Sequence, residues 1–294
     1  MSARILDGEA FASRLHRENS VRVEKLKSRG ITPGLVFIRV GEDPASRAYV
    51  SRKEKRAQEI GISSRTLVLP ESTPLATLLK EIDALNANPQ VHGILIQSPL
   101  PSSLPNDLIY SRVAPAKDVD GFHPLNFGKL LLGDPGGFLP CTPAGILEIL
   151  RLGEIPTAGK HAVVVGRGQI VGRPLALLLA RKAPGADCTV TLAHSRTHDL
   201  PSLTRQADIL VGALGQPMFL KREHVKPGAT VIDVGVNRLA DPTSPRGYRL
   251  VGDVDFDSVK TIAGAITPNP GGVGPMTIAL LLSNTVRAAE DLSR

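Results

Sequence analysis

At 294 residues, 42% of them hydrophobic, the chain can bury a large core, and its length suggests two domains. Its two cysteines, Cys141 and Cys188, make no disulfide framework and fit a reducing cytoplasm, while the longest apolar runs, 174–180 and 278–282, are far too short to span a bilayer. The formal net charge of +7 is scattered among acids and aromatics are only 3%, which argues against a nucleic-acid partner and for solubility and attraction of small anions.

The amino-terminal MSARILDGEAFASRL is amphipathic and carries acids, unlike a signal or transit peptide. Short β-rich runs then alternate with longer helical stretches, the pattern of an α/β protein. GLVFIRV over 34–40 reads as a strand, followed by a helix over 45–59 with Asp43 as N-cap and Pro44 at its start. A strand at 66–69, a helix at 75–85 and the buried strand GILIQ at 93–97 come next. The zone 98–143, rich in Pro and Gly, reads as loop and holds the domain boundary. Beyond it the pattern predicts a helix at 145–151 and a strand at 162–165, then a helix at 171–182 and a strand at 189–193. A helix at 200–206, strands at 209–213, 231–234 and 261–266, and a final helix at 277–291 complete the chain. The second half is expected to be a doubly wound parallel sheet, with the last helix returning to the first domain.

Four segments carry chemistry. HAVVVGRGQIVGRPLALLLA is a strand, a glycine turn and a helix: Gly166 permits the turn, Gly168 lets backbone approach a phosphate and Gly172 lets the helix sit close to the sheet. Its spacing, G-x-G-x-x-x-G, is one residue longer than the usual dinucleotide pattern. The next strand ends in His194-Ser195-Arg196-Thr197, where an NAD enzyme typically places an acid for the ribose hydroxyl. Arg196, with Arg167 in the turn, instead suits a 2′-phosphate and favours NADP, unless Arg196 is a solvated loop residue.

On the helix SRAYVSRKEKRAQEIG, Tyr49 and Lys53 stand at i and i+4 on one face. Lys53 reads either as a solvated lysine or as one held in a cleft with a lowered pKa, able to move protons. Gln97 ends a central strand, where side chains point toward ligands in α/β folds, or is an ordinary strand-end polar residue. KDVDGFHP sets Asp118 and Asp120 beside Gly and Pro; the spacing gives no convincing metal set, and a single carboxylate gripping two donors of a heterocycle fits better. ITPNPGGVGPMT at 266–277 reads as a rigid loop shaped to a ligand or as a Gly/Pro surface turn, its Gly271, Gly272 and Gly274 allowing positive φ and close approach.

Taken in order, SRAYVSRK, GILIQSPLP, PAKDVDGFHPLNFGKL, PCTPAG, VVVGRGQIVGRPLA, VTLAHSRT, ADILVGALG, VIDVGVN, GDVDF and TPNPGGVGPMT resemble the bifunctional methylenetetrahydrofolate dehydrogenase/cyclohydrolase family over essentially the full chain. The resemblance implies a folate-binding catalytic α/β domain, 1–140 plus 277–294, and a Rossmann-like NADP-binding domain, 141–276, with the folate cleft between them. It implies oxidation of 5,10-methylenetetrahydrofolate and hydrolysis of the methenyl product to 10-formyltetrahydrofolate, in a cytoplasmic homodimer binding no metal, membrane or nucleic acid. By the same resemblance Lys53 is catalytic, Gln97 interacts with it, and Tyr49 orients the pterin. Asp120 holds the pterin ring, and Gly271, Gly272 and Val273 lie beside the folate. Gly166, Arg167, Gly168, Ser195, Arg196 and Val236 fall on the NADP contacts. Two positions depart from the family pattern: Gly168 stands where the family has Ser, and Asn269 where it has an apolar residue. A nucleotide-binding regulator without turnover is the competing class, which loss of Tyr49, Lys53 or Asp120 would have signalled.

Overall fold

The computed structural model describes residues 2–244 and 247–293; Met1 and Arg294, at the ends of the expected domains, lie outside them. In chain order the elements are β1 (Arg4–Ile5), α1 (Gly8–Lys27), β2 (Gly34–Val40), α2 (Pro44–Glu59), β3 (Ser63–Leu69), α3 (Leu75–Ala87), β4 (Gly93–Ile96), α4 (Asn106–Arg112), α5 (Pro124–Leu132) and α6 (Cys141–Leu152). They continue with β5 (His161–Val165), α7 (Gly172–Ala180), β6 (Thr189–Ala193), α8 (Leu200–Thr204), β7 (Ile209–Gly212), β8 (Thr230–Asp233), β9 (Asn237–Ala240), β10 (Tyr248–Val251), α9 (Phe256–Val259), β11 (Ala265–Ile266) and α10 (Val273–Leu292). Two compact units result: the segment up to Ala12 with Thr142–Thr277, and Ser13–Cys141 with the segment from Ile278 onward.

The first unit is a six-stranded, wholly parallel sheet in the order β1-β11-β8-β7-β5-β6. β5 has β6 on one side and β7 on the other, so the winding reverses there and opens a crevice at the carboxyl ends of β5 and β7. Val163, Val165, Leu210 and Val231 fill its core, as expected of strands covered on both faces. The expected division is corrected at the amino terminus. Arg4 and Ile5 pair with Ala265 and Ile266 as an edge strand, and Leu6 N–H donates to the Ile266 carbonyl at 2.8 Å, so this segment belongs with the nucleotide sheet rather than the catalytic domain.

The second unit centres on the parallel sheet β3-β2-β4. β2 is buried at every position, and its period of two splits it. Leu35 and Phe37 face α1, α2 and α10 through Val23, Leu26, Val50, Ala57, Leu281 and Val286, whereas Val36, Ile38 and Val40 face α3 and α4 through Leu78, Ile82 and Ile109. α2 starts as its sequence dictates: the Asp43 carboxylate accepts the Ser46 N–H at 2.7 Å, with Pro44 at the first helical position.

The structure corrects three further expectations. The zone 98–143 holds two helices, too short for a periodic signal, and the first residues of α6; α5 begins with Pro124 behind a His123 cap and ends on Gly133 at φ 72°. The strand expected at 261–266 shrinks to β11, because Asp255 caps α9 and its last turn carries the Ala263 N–H back to the Val259 carbonyl. α10 begins at Val273 rather than 277, since Pro275 sits in a first turn that needs no N–H from it.

Candidate active site

On α2 the apolar stripe runs through Val50 and Ala57 and is continued by Ile60 at the helix cap, and Lys53 occupies a position within it, only 5% exposed. A buried ammonium needs partners. Lys53 Nζ donates to Gln97 Oε1 at 3.1 Å and lies 4.4 Å from the centroid of the half-buried Tyr49 ring. Gln97, just beyond β4, is turned to present that oxygen because its own amide donates to the Ser98 carbonyl at 2.5 Å. Ser98 Oγ in turn shares a 2.6 Å hydrogen bond with Tyr110 Oη. Burial pushes the Lys53 pKa down, and the negative charge of Asp120 opposes it. The same burial raises the Asp120 carboxyl, opposed by Lys53.

The two acids of the KDVDG segment have separate work. Asp118 is structural: it accepts from the Phe122 and His123 N–H groups and from Asn126 Nδ2 at 2.8 Å, and so nucleates the approach to α5. Lys117 is equally structural, its ammonium donating to the carbonyls of Leu85, Asn86 and Asn88 at the end of α3. Gly121, at φ 77°, has no room for a side chain, since a Cβ would come within 2.6 Å of the Leu139 backbone. This fixes the turn that carries Asp120, whose charge acts on Lys53. Cys141 is buried with its thiol donating to the Val119 carbonyl at 3.2 Å, and burial beside Asp120 raises its pKa well above the ordinary thiol value. Sequence reasoning gave Cys141 no role, although it lies in the PCTPAG segment. No group of three or more His, Cys, Asp or Glu among the described residues is placed to hold a metal, and no helix among them is long and apolar enough to cross a membrane.

In the first unit, Gly166 ends β5 at φ 121°, and a Cβ there would sit 2.0 Å from the Ala213 carbonyl oxygen at the end of β7. A Cβ on Gly172 would lie 1.9 Å from the Gly166 oxygen, so α7 starts tight against the turn. Gly168 differs: nothing lies within 4 Å of a Cβ built there, and packing gives no reason for glycine at that site. Arg167, Ser195 and Arg196 are exposed, and Val236 is 71% exposed. The Arg196 N–H donates to His194 Nδ1 and the His194 N–H to Thr197 Oγ1 at 2.9 Å, making the HSRT segment a defined turn. A glycine turn at the switch point, with backbone amides and two arginines facing solvent, fits a phosphorylated dinucleotide.

Sequence reasoning missed the two buried aspartates that hold this face. Asp253, fully buried, accepts from the N–H groups of Leu214, Gly215 and Gln216 and from Asn237 Nδ2, tying the loop after β7 to the segment after Val236. Asp233 accepts from the N–H groups of Gly235, Asp253 and Val254; burial raises its carboxyl to about 7. An acid at the end of an apolar strand beside glycine, as in VIDVG and VGDVD, was the available signal.

The loop 266–277 is only partly as expected. Gly271 alone of its three glycines has positive φ, at 104°. Gly272 is required by packing, because a Cβ would come within 2.5 Å of the Pro268 oxygen, and its own carbonyl lies against Gly8. Gly274 has open space and, with Val273, opens α10. Asn269 Nδ2 donates to the Gly235 carbonyl, which gives that departure from the family pattern a physical account: it joins this loop to the one carrying Val236.

A buried lysine coupled to a carboxylate in one unit, and a glycine turn at the switch point of a doubly wound sheet in the other, define a nucleotide-dependent α/β enzyme. Residues 6–120 match the tetrahydrofolate dehydrogenase/cyclohydrolase catalytic domain and residues 140–293 its NAD(P)-binding domain, and the chain belongs to that family. The bifunctional protein FolD 1 of Myxococcus xanthus is 54% identical over 287 residues, 98% of each chain. The bifunctional FolD methylenetetrahydrofolate dehydrogenase/cyclohydrolase of Campylobacter jejuni superposes with a TM-score of 0.93 at 46% identity over 99% of each chain. The Trypanosoma brucei enzyme, solved with NADP cofactor and inhibitor, superposes with a TM-score of 0.95 at 39% identity, over 100% of this chain and 99% of that one.

Proposed function

We propose that Lys53, Tyr49, Gln97 and Asp120 carry both reactions of this NADP-dependent methylenetetrahydrofolate dehydrogenase and methenyltetrahydrofolate cyclohydrolase. The observation behind the reading is the buried Lys53 ammonium, held on Gln97 Oε1 at 3.1 Å and over the Tyr49 ring, with Asp120 coupled to it. Asp120 takes two donors of the pterin ring, and the Tyr49 ring stacks along the same heterocycle. Loss of hydride leaves the substrate carbon cationic, a step that needs no strong base. NADP, when bound, supplies the hydride acceptor. The backbone of Gly166, Arg167 and Gly168 holds its pyrophosphate, Ser195 and Arg196 its 2′-phosphate, and Val236 flanks it, while Gly271, Gly272 and Val273 border the folate.

Hydrolysis makes heavier demands on Lys53. Burial lowers its pKa and so favours the neutral amine, the form able to take a proton from water as that water attacks the methenyl carbon. The ammonium so formed returns that proton to the ring nitrogen as the C–N bond opens, while the carbinol oxygen forms the formyl C=O and loses its own proton to solvent, giving 10-formyltetrahydrofolate. Gln97 keeps the amine aimed through both transfers. The proposal includes a homodimer located in the cytoplasm, on the ground of the family resemblance; sedimentation equilibrium reads its oligomeric state. Turnover of methylenetetrahydrofolate is followed by absorbance with NADP and NAD, in wild type and in Lys53→Met. Loss of methenyl hydrolysis in the variant is expected, and an unchanged hydrolysis rate would remove Lys53 from the role.

A further inference from the structure

We infer that Asn284, on the carboxyl-terminal helix α10, is a positioning residue that sets Asp120 against Lys53. The inference rests on the reading of Asp120 as the pterin-binding carboxylate. Asn284 Nδ2 donates to the Val119 carbonyl at 2.9 Å and to the Leu139 carbonyl at 3.3 Å. One carboxamide thus spends both its hydrogens on two loop strands, the one ending in Asp120 and the one leading into Cys141. The Cys141 thiol lies 3.6 Å from the same nitrogen and itself donates to the Val119 carbonyl, so that oxygen accepts from two side chains. Across the join, Gly121 presses on the Leu139 and Pro140 backbone with no space for a Cβ. The peptide before Asp120 and the residue after it are therefore both pinned, which fixes where its side chain leaves the backbone.

Asn284 sits on the face of α10 that carries the buried Leu281 and Ala288, in the cluster that also contains Val50 and Ala57 of α2. The helix that carries Lys53 and the helix that carries Asn284 pack on one core, so the register between base and carboxylate is set by apolar contact and read out by a single amide. Aspartate at 284 keeps the volume and loses both donors. It would leave two carbonyls facing a carboxylate.

The test compares Asn284→Asp and Asn284→Ala with Asp120→Asn. For both Asn284 variants the KM for methylenetetrahydrofolate is expected to rise about tenfold, as for a loss of about 1.4 kcal/mol, with the KM for NADP unchanged. The limb of the cyclohydrolase pH profile that reports Lys53 is expected to move to lower pH, because Asp120 no longer offsets the effect of burial. A lowered melting temperature with wild-type folate KM and pH limb would make Asn284 merely structural and overturn the inference. If Asp120→Asn also leaves the folate KM unchanged, the reading of Asp120 falls as well. Cys141→Ala removes one of the two donors to Val119 and serves, with a smaller rise expected in the same KM, if the Asn284 variants do not fold; an unchanged folate KM there would likewise overturn the inference.

Discussion

Around Lys53 the proposed chemistry falls to side chains wholly or partly out of water: a lysine in an apolar stripe, a glutamine held by its neighbour's carbonyl, and a half-buried carboxylate beside a glycine turn. The nucleotide face is assembled the other way. Its contacts are backbone amides and the absence of side chains at Gly166 and Gly172, its charged groups stand in solvent, and its rigidity comes from Asp233 and Asp253 lying behind it. On the proposed reading, the first region shifts pKa values to make a proton carrier. The second needs no titrating group, only shape and a place for phosphate. The same fold therefore tolerates change very differently at its two working surfaces.

The contrast is sharpest at Lys53. Methionine keeps the stripe apolar and removes the amine, so methenyl hydrolysis should fall by about two to four orders of magnitude while the protein stays folded; a stopped-flow trace of methenyl decay measures it. On the other face the largest effect is steric. Gly166→Ala puts a methyl 2.0 Å from the Ala213 oxygen and demands strained φ, and should cost about 3 kcal/mol or more in chemical denaturation. A wild-type unfolding midpoint would show that the turn is not built as described.

Charge on the nucleotide face should matter less, being solvated. Arg196→Ala should raise the KM for NADP about tenfold and leave that for NAD alone, which steady-state assays with both cofactors distinguish. Asp233 offers a subtler contrast. Its carboxyl is raised to about 7, so the stability that its neutral form contributes is present at low pH and is lost as pH climbs from about 4 through that value. Thermal scans between about pH 5 and pH 8 should show a wild-type decline that Asp233→Asn flattens. Smallest of all, Gly168→Ser should change stability by less than about 0.5 kcal/mol, because a Cβ there meets nothing. A large loss would mean that the turn depends on glycine in a way its geometry does not display.

How much of this was legible depended on the range of the interaction. β2 and β6 occupy the residues their apolar runs predict, and α2 starts where Asp43 and Pro44 place it, because period and capping act within a few residues. The glycine turn after β5 was legible too, as Gly166 and Gly172 answer to backbone contacts with fixed spacing along the chain. Lys53 was singled out among the basic residues of its helix only by Tyr49 one turn earlier, and nothing local showed that it is buried. Asn284 stands far along the chain from Val119, and no pattern in its neighbourhood points there.

The sequence by itself determined an α/β chain in two parts, the location of the nucleotide turn and, through its ordered motifs, the family. Tertiary structure alone decided that Lys53 is buried, that Asp118 holds a turn while the charge of Asp120 acts on the lysine, and that the first residues form an edge strand of the nucleotide sheet. The division follows from physics. Turns, caps and amphipathic period are set by neighbours a few residues away, whereas burial, pKa and strand pairing depend on which distant segments exclude water together.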